Sequence, residues 1–254
     1  MRRIPPIDLH AHIESDIASA DLLELGSLVF AASRSLGEAA KVVKRTDPWT
    51  VWGVGCHPGL VGAQKAFDTA RFTELIQQTS YVSEVGLDGK SRVSMDVQQE
   101  TLGAILGVLV QSPRIISIHS YAAVEAVLDC LAATPVRGAV LHWWLGNAEQ
   151  TRRAVSLGCY FSVNAAMLAR PGSFEHLPLD RVLPETDHPF GDRSTGHGRR
   201  PGHVAGVEGA LARIHRLTDE HLRLQTWRNL ECLVREAKCG SLMPRNVRVT
   251  LAAL

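Results

Sequence analysis

A single (β/α)8 TIM barrel is the fold that this sequence predicts, and three observations predict it. Short apolar runs alternate with longer amphipathic segments, and the alternation repeats eight times. A chain of 254 residues is long enough for eight such units in one domain. An open doubly wound sheet usually carries a Gly-rich phosphate loop after its first strand, and here that place holds His10-Ala11-His12. No low-complexity stretch interrupts the chain, so residues 1–254 read as one domain.

Strands are expected at Ile4–His10, Ser27–Ala32, Trp49–Gly55, Tyr81–Gly86, Ile115–His119, Ala139–His142, Cys159–Asn164 and Arg181–Asp187. Between them, helical periodicity marks Leu36–Arg45, Phe67–Gln78, Met95–Val110, Val124–Ala133 and Asn147–Leu157. The run GVLVQSPRIISIHS shows one joint in full: a helix end, a turn through Ser112-Pro113, then a β-branched strand. Asp219–Lys238 reads as a final helix on the barrel exterior.

Composition narrows the class. Hydrophobic residues make up 45% of the chain and the net charge is +1, which excludes a disordered or fibrous protein. No apolar run approaches the ~20 residues that cross a bilayer, and Ile-Pro-Pro after Met1-Arg2-Arg3 is no signal-peptide core. Five scattered cysteines without a C-x-x-C read as free thiols of a soluble cytoplasmic protein. Cys232 and Cys239 read as same-face core packing. Charge is uneven: residues 1–189 carry 16 Lys/Arg against 20 Asp/Glu, and residues 190–254 carry 11 against 6. Arg213, Arg216, Arg223 and Arg228 in that basic quarter read as a solvated helix face.

In such a barrel the chemistry sits at the C-terminal strand ends. His10 and His12 end the first strand, alternate residues that share a face, with Asp8 two further back. The third strand ends in Gly55-Cys56-His57-Pro58, and the fourth carries Glu84 and then Asp88. His119 ends the fifth, His142 the sixth, and Glu185-Thr186-Asp187 the eighth. Five of the eleven histidines therefore gather on one rim. Imidazoles and carboxylates together suit Zn, Mn, Fe or Ni, and Mg less comfortably.

These motifs, in this order from Ile7 to about Leu233, resemble the TatD family of metal-dependent deoxyribonucleases within the amidohydrolase-like barrels. DLHAH is similar to the family's Asp-x-His-x-His opening, GVGCHPG to its Gly-x-His-Pro turn and SEVGLD to its Gly-Glu-Ile-Gly-Leu-Asp strand. SIHSYAA, LHWWLG and LPETDHPF are similar to the three later segments. The resemblance implies that His10, His12, Glu84 and Asp187 hold one divalent metal. It implies a second on His119 and His142, with Glu84 bridging. Two such ions, Zn, Mn or Mg, can clamp a scissile phosphate and activate a water. Asp187 is then both ligand and general base. The implied activity is exonucleolytic cleavage of single-stranded DNA or DNA ends. GCYFSVN with HWWLGN also resembles TatD-like subunits of Qat-type antiphage systems, which implies protein partners in a defence complex.

The departures from the pattern concern substrate choice. Tyr121 replaces an arginine two residues after His119, Leu145 replaces a serine, Ser83 a glycine, and His188 a small residue after Asp187. Candidate substrate contacts are His57, Asp88, Tyr121, Trp143 and His188. Asp88 can equally orient a ligand histidine or cap the following turn. Trp143 or Trp144 can stack a base, and the other belongs in the core. The Gly-rich loop 191–203 adds Arg193, Arg199 and Arg200, placed to follow a nucleic-acid backbone, with His197 and His203 beside them. Hydrolysis of a small cyclic amide or lactone is the alternative chemistry; relatives that do this often bridge their metals with a strand-four lysine, whereas here Lys90 lies beyond that strand. A subunit with structural metals and no turnover is the other alternative.

Overall fold

The computed structural model describes residues 4–170, 172, 174–193 and 199–254. Eight strands are present at the expected places: β1 (Ile7–Ala11), β2 (Leu28–Ala31), β3 (Thr50–Trp52), β4 (Tyr81–Gly86), β5 (Ile115–His119), β6 (Ala139–Leu141), β7 (Tyr160–Val163) and β8 (Val182–Pro184). Neighbours pair in parallel in chain order, β1 to β3 and β4 to β8. Backbone bonds join the two runs. Val54 N donates to Tyr81 O and Ser83 N to Val54 O between β3 and β4. Asp187 N donates to His10 O at 2.8 Å, and His12 N to His188 O at 2.9 Å, between β8 and β1. The sheet thereby closes into a (β/α)8 barrel without an edge.

Between the strands run α1 (Ser19–Glu24), α2 (Leu36–Val42), α3 (Val61–Lys65), α4 (Thr69–Leu75), α5 (Met95–Gln111), α6 (Val124–Ala133), α7 (Ala148–Ser156) and α8 (Ala165–Leu168). Local chemistry sets their starts. Asp68 accepts from Arg71 N and begins α4, and Asn147 forms a capping box with Gln150 at α7. Asn147 is thus a cap rather than the first helical residue. After β8 come α9 (Ala205–His215), α10 (Asp219–Glu236) and α11 (Arg245–Leu251).

The sequence reading of α10 as an outer, final helix is corrected. α11 follows it, and Trp227, Leu230, Leu233 and Val234 of α10 pack into one cluster with Ile7, Leu28, Val51, Tyr81, Ile115, Val140, Tyr160 and Leu183. Those eight residues come one from each strand and sit near the strand starts, so α10 and α11 stop the N-terminal mouth of the barrel. Trp227 Nε1 donates to Pro5 O, and Asn229 Nδ2 to Leu179 O and Val182 O, which seats the plug. An amphipathic stripe shows that a helix buries a face; it does not say against what. Arg223 is corrected for the same reason: it is paired with buried Glu208 on α9, Nε to Oε1 at 3.0 Å, while Arg213, Arg216 and Arg228 are exposed as expected. All five cysteines are free, with Cys239 buried in the plug. No described helix is long and apolar enough to cross a membrane.

Candidate metal centre

The open mouth at the strand C-termini collects the chemistry. The pairing register shifts between Asp8 and Ala11 in β1, so strict alternation fails there. His10 Nδ1 meets Ser117 Oγ on β5 at 2.7 Å and Tyr81 Oη at 3.2 Å, inside the barrel. Asp8 parts company with it. Its carboxylate accepts from Thr186 N, Thr186 Oγ1 and Gly202 N, each at 2.7 Å, and clips β1 to the segment after β8. Burial pushes Asp8 up to about 6 against those donors.

Glu84 lies at the centre. Its Oε1 is 2.8 Å from His119 Nδ1, 3.2 Å from His142 Nε2 and 3.5 Å from His57 Nε2. Its Oε2 is 3.5 Å from His12 Nε2 and 3.9 Å from His10 Nε2. Asp187 Oδ1 stands 3.5 Å from His12 Nε2 and 3.8 Å from His10 Nε2. Among the described residues three donor groups result, each with ligand atoms within 4.8 Å of one another: His10, Glu84 and His142; His10, His12 and Asp187; His57, Glu84 and His119. The first two contain only residues that the sequence nominates as ligands.

The fit to a cation rests on atoms without partners. His10 Nε2, Glu84 Oε2 and Asp187 Oδ1 are buried and make no hydrogen bond. Buried polar atoms of folded proteins are almost always satisfied, and an unpaired buried carboxylate oxygen is costly. Two carboxylates and four imidazoles converging around these unpartnered atoms fit a divalent transition metal. Behind three of the imidazoles stand groups of the kind that orient metal ligands. Ser117 takes the far side of His10, Asp88 Oδ2 stands 3.6 Å from His119 Nε2, and Glu185 Oε1 stands 3.9 Å from His142 Nδ1. Glu185 is itself fixed by Asn164, Ser162 and the Trp143 backbone N–H. Trp143 and Asp187 both adopt left-handed backbone, φ 43° each, a strained conformation for residues other than glycine.

Electrostatics shows what the donors do for one another. Burial raises a carboxyl, but His119 and His142 outweigh it and hold Glu84 well below the carboxylate range. Burial lowers an imidazole, yet Asp88 and Glu84 bring His119 up to about 9. His10 has burial and His142 against it and falls well below the imidazole range. Burial also lowers His57.

A cavity of about 700 Å³ opens over this floor. Of the nominated substrate contacts, His57, Asp88, Tyr121, Trp143 and Arg193 line it. His188, Arg199 and Arg200 are not among its described lining residues. His188 Nδ1 lies 2.6 Å from Asp192, Arg199 bonds Asp192 at 3.3 Å and Pro189 O at 2.7 Å, and Arg200 is exposed. His197 lies outside the described residues. Trp144 is fully buried with Nε1 on Thr151, so Trp143 is the tryptophan of the mouth. The cavity also has residues that the sequence reading passed over: Arg34 after β2, Leu60, Arg170 after α8 and Phe190. Phe190 packs edge-on against His12, with Arg193 over its ring at 5.4 Å. Arg34 and Arg170 follow strand ends that hold no ligand, so nothing in their neighbourhood drew attention to them.

The family model of the TatD related DNases matches residues 7–235. No curated protein matches the chain. Among solved structures, the TatD homologue YJJV of Escherichia coli K12 superposes with a TM-score of 0.79 at 21% identity, covering 90% of this chain and 97% of that one. A TatD-family hydrolase of Entamoeba histolytica gives 0.77 at 14%, covering 92% and 99%. A phosphotriesterase homology protein of Escherichia coli, complexed with phosphate in its active site, gives 0.58 at 14%, covering 89% and 98%. By a match over most of its length, this chain belongs to the TatD related DNase family of metal-dependent hydrolases.

Proposed function

We propose that this chain is a phosphodiesterase that shortens DNA from its ends, with a preference for single strands, on a two-metal centre. The observation that carries the reading is the pairing of floor and rim. The donor cluster opens into a cavity whose edge has three arginines, Arg34, Arg170 and Arg193, and the flat or apolar side chains of Tyr121, Trp143, Phe190 and Leu60. Guanidinium groups suit phosphate oxygens, and ring faces accept any base that is free of its stack. The family description and the phosphate held by one fold relative support the same substrate class.

When bound, divalent ions polarise a phosphodiester and bring the pKa of a water down towards neutrality. Glu84, between two donor groups, and His10, His12, His119, His142 and Asp187 would hold them. Asp187 would take the proton of the attacking water. The rim arginines orient the phosphate, and the rings hold the nucleotide beside the bond to be broken.

The test is digestion of end-labelled single-stranded DNA by the purified chain with Mn, Mg or Zn, beside Glu84→Ala and Asp187→Ala. Stepwise, metal-dependent shortening absent from both variants is expected. Intact DNA under every metal, from protein shown to be metal-loaded, rejects the nuclease and turns attention to a small cyclic amide or lactone. A place in antiphage defence with partner proteins is a proposal carried by sequence resemblance. Equal plaque counts on hosts with the wild type and Glu84→Ala reject it.

A further inference from the structure

His57 has ligand-type atoms within 4.8 Å of those of Glu84 and His119, so proximity alone makes it one more imidazole for a metal. Its hydrogen bonds say otherwise. Gly59 N donates to His57 Nδ1 at 2.8 Å. A backbone N–H can only donate, so Nδ1 keeps its lone pair and the ring hydrogen sits on Nε2. That Nε2–H is the atom aimed into the site, 3.5 Å from Glu84 Oε1. A ring nitrogen bearing hydrogen has no lone pair for a metal. To free it, Nδ1 would have to carry hydrogen and face the Gly59 N–H.

The ligand histidines His10, His119 and His142 are built the other way. Their outer nitrogens face groups that can accept hydrogen: Ser117 and Tyr81 hydroxyls for His10, Asp88 for His119, Glu185 for His142. The turn that brings the Gly59 N–H to the ring is itself held. His57 N donates to Arg34 O at 2.9 Å, and the Nε2 of buried Gln64 donates to His57 O at 3.2 Å. A Cβ on Gly59 would lie 2.9 Å from His57 Cε1 and 3.2 Å from Nδ1, so only glycine lets that N–H come so close.

We propose that His57 is a fixed neutral hydrogen-bond donor, its Nε2–H aimed at the substrate oxygen on which negative charge builds, and that it neither ligates metal nor gives up its proton. Loss of that proton from a neutral ring would leave an imidazolate, so the N–H bond stays intact throughout. The identity of the oxygen, a phosphoryl oxygen, rests on the phosphodiesterase reading; the tautomer does not.

The experiment uses the full chain loaded with zinc and labelled with 15N-histidine. Nitrogen shifts should show Nε2 of His57 protonated and Nδ1 bare, with the signals assigned by their loss in His57→Gln. Zinc content of His57→Ala and His57→Gln should equal that of the wild type. On a labelled single-stranded oligonucleotide, His57→Ala should lower kcat by about 10²-fold, the scale of a lost oxyanion donor. His57→Gln, with its amide N–H, should recover part of the loss, and the limbs of the pH–rate profile should stay put. Gly59→Ala should lower kcat with zinc unchanged. A hydrogen on Nδ1, a zinc ion lost from His57→Ala, or an unchanged kcat overturns the proposal. If the wild type cuts no DNA, the nuclease reading fails, and the nitrogen shifts and zinc content still decide whether His57 is a donor or a ligand.

Discussion

At the floor of the cavity His10, Glu84 and Asp187 are no more than 3% exposed, whereas at the rim Tyr121 is 52% exposed and Phe190 40%. The floor residues answer to one another: each buried charge or lone pair needs a partner, and each partner is buried or half-buried. Rim residues carry fewer obligations. The comparison teaches that the reaction class is written in the floor, where change is expensive. Substrate choice is written in the rim, where Tyr121 and Leu145 are exposed.

The largest effects should follow removal of a floor carboxylate. Glu84→Ala and Asp187→Ala are each expected to lower hydrolysis by at least about 10³-fold, beyond the loss of one oxyanion donor, with metal content falling in parallel by elemental analysis. Retained metal and activity in Glu84→Ala would break the contrast between floor and rim.

Next comes pH. His119 sits at about 9 against its ordinary 6.5, so in the metal-free protein it contributes stability that is complete below about 6.5 and lost as pH rises through about 9. Glu84, depressed, works in the other direction: its contribution is present at and above neutral pH and lost in acid. The melting temperature of metal-free protein should therefore fall between about pH 6.5 and 9. Zinc affinity should rise over the same interval, because each ligand must shed its proton to bind. Calorimetry with and without zinc checks both, and a flat metal-free curve would contradict the pairing of His119 with its carboxylates.

Smaller effects belong to the residues behind the ligands. Ser117→Ala and Asp88→Asn should weaken metal binding by about 10–100-fold, as read by competition with a chelating dye. The smallest belong to the rim. Phe190→Ala and Trp143→Ala should each cost about 1–3 kcal/mol of single-strand affinity, seen as higher KM with little change in kcat or melting temperature. Arg200→Ala, exposed and away from the described cavity lining, should change neither. A large effect of Arg200→Ala would place the loop after β8 over the cavity when DNA binds.

Much of this molecule was legible before any coordinates. Strand positions follow from apolar runs, and the side chains that gather could be named because a parallel barrel delivers its strand ends to one mouth. His10, His12, Glu84, His119, His142 and Asp187 do meet there. Alternation along β1 puts Asp8 on the face of His10, but an irregular register sends it to Thr186, 178 residues away. The periodicity of α10 predicts an outer helix, and it stops the N-terminal mouth of the barrel instead. Arg34 and Arg170 were passed over because their strands end without chemistry of their own.

By itself the sequence determined the barrel, its order and the donors at its mouth, since periodicity, caps and strand ends are encoded within a few neighbouring residues. Tertiary structure alone decided which nitrogen of His10 faces the centre, because Ser117, 107 residues on, holds the other, and it brought the Nε2 of His57, whose ring is set by its own turn, to Glu84. A hydrogen bond is specific to geometry that chain spacing does not contain, and that geometry separates a metal ligand from a hydrogen-bond donor.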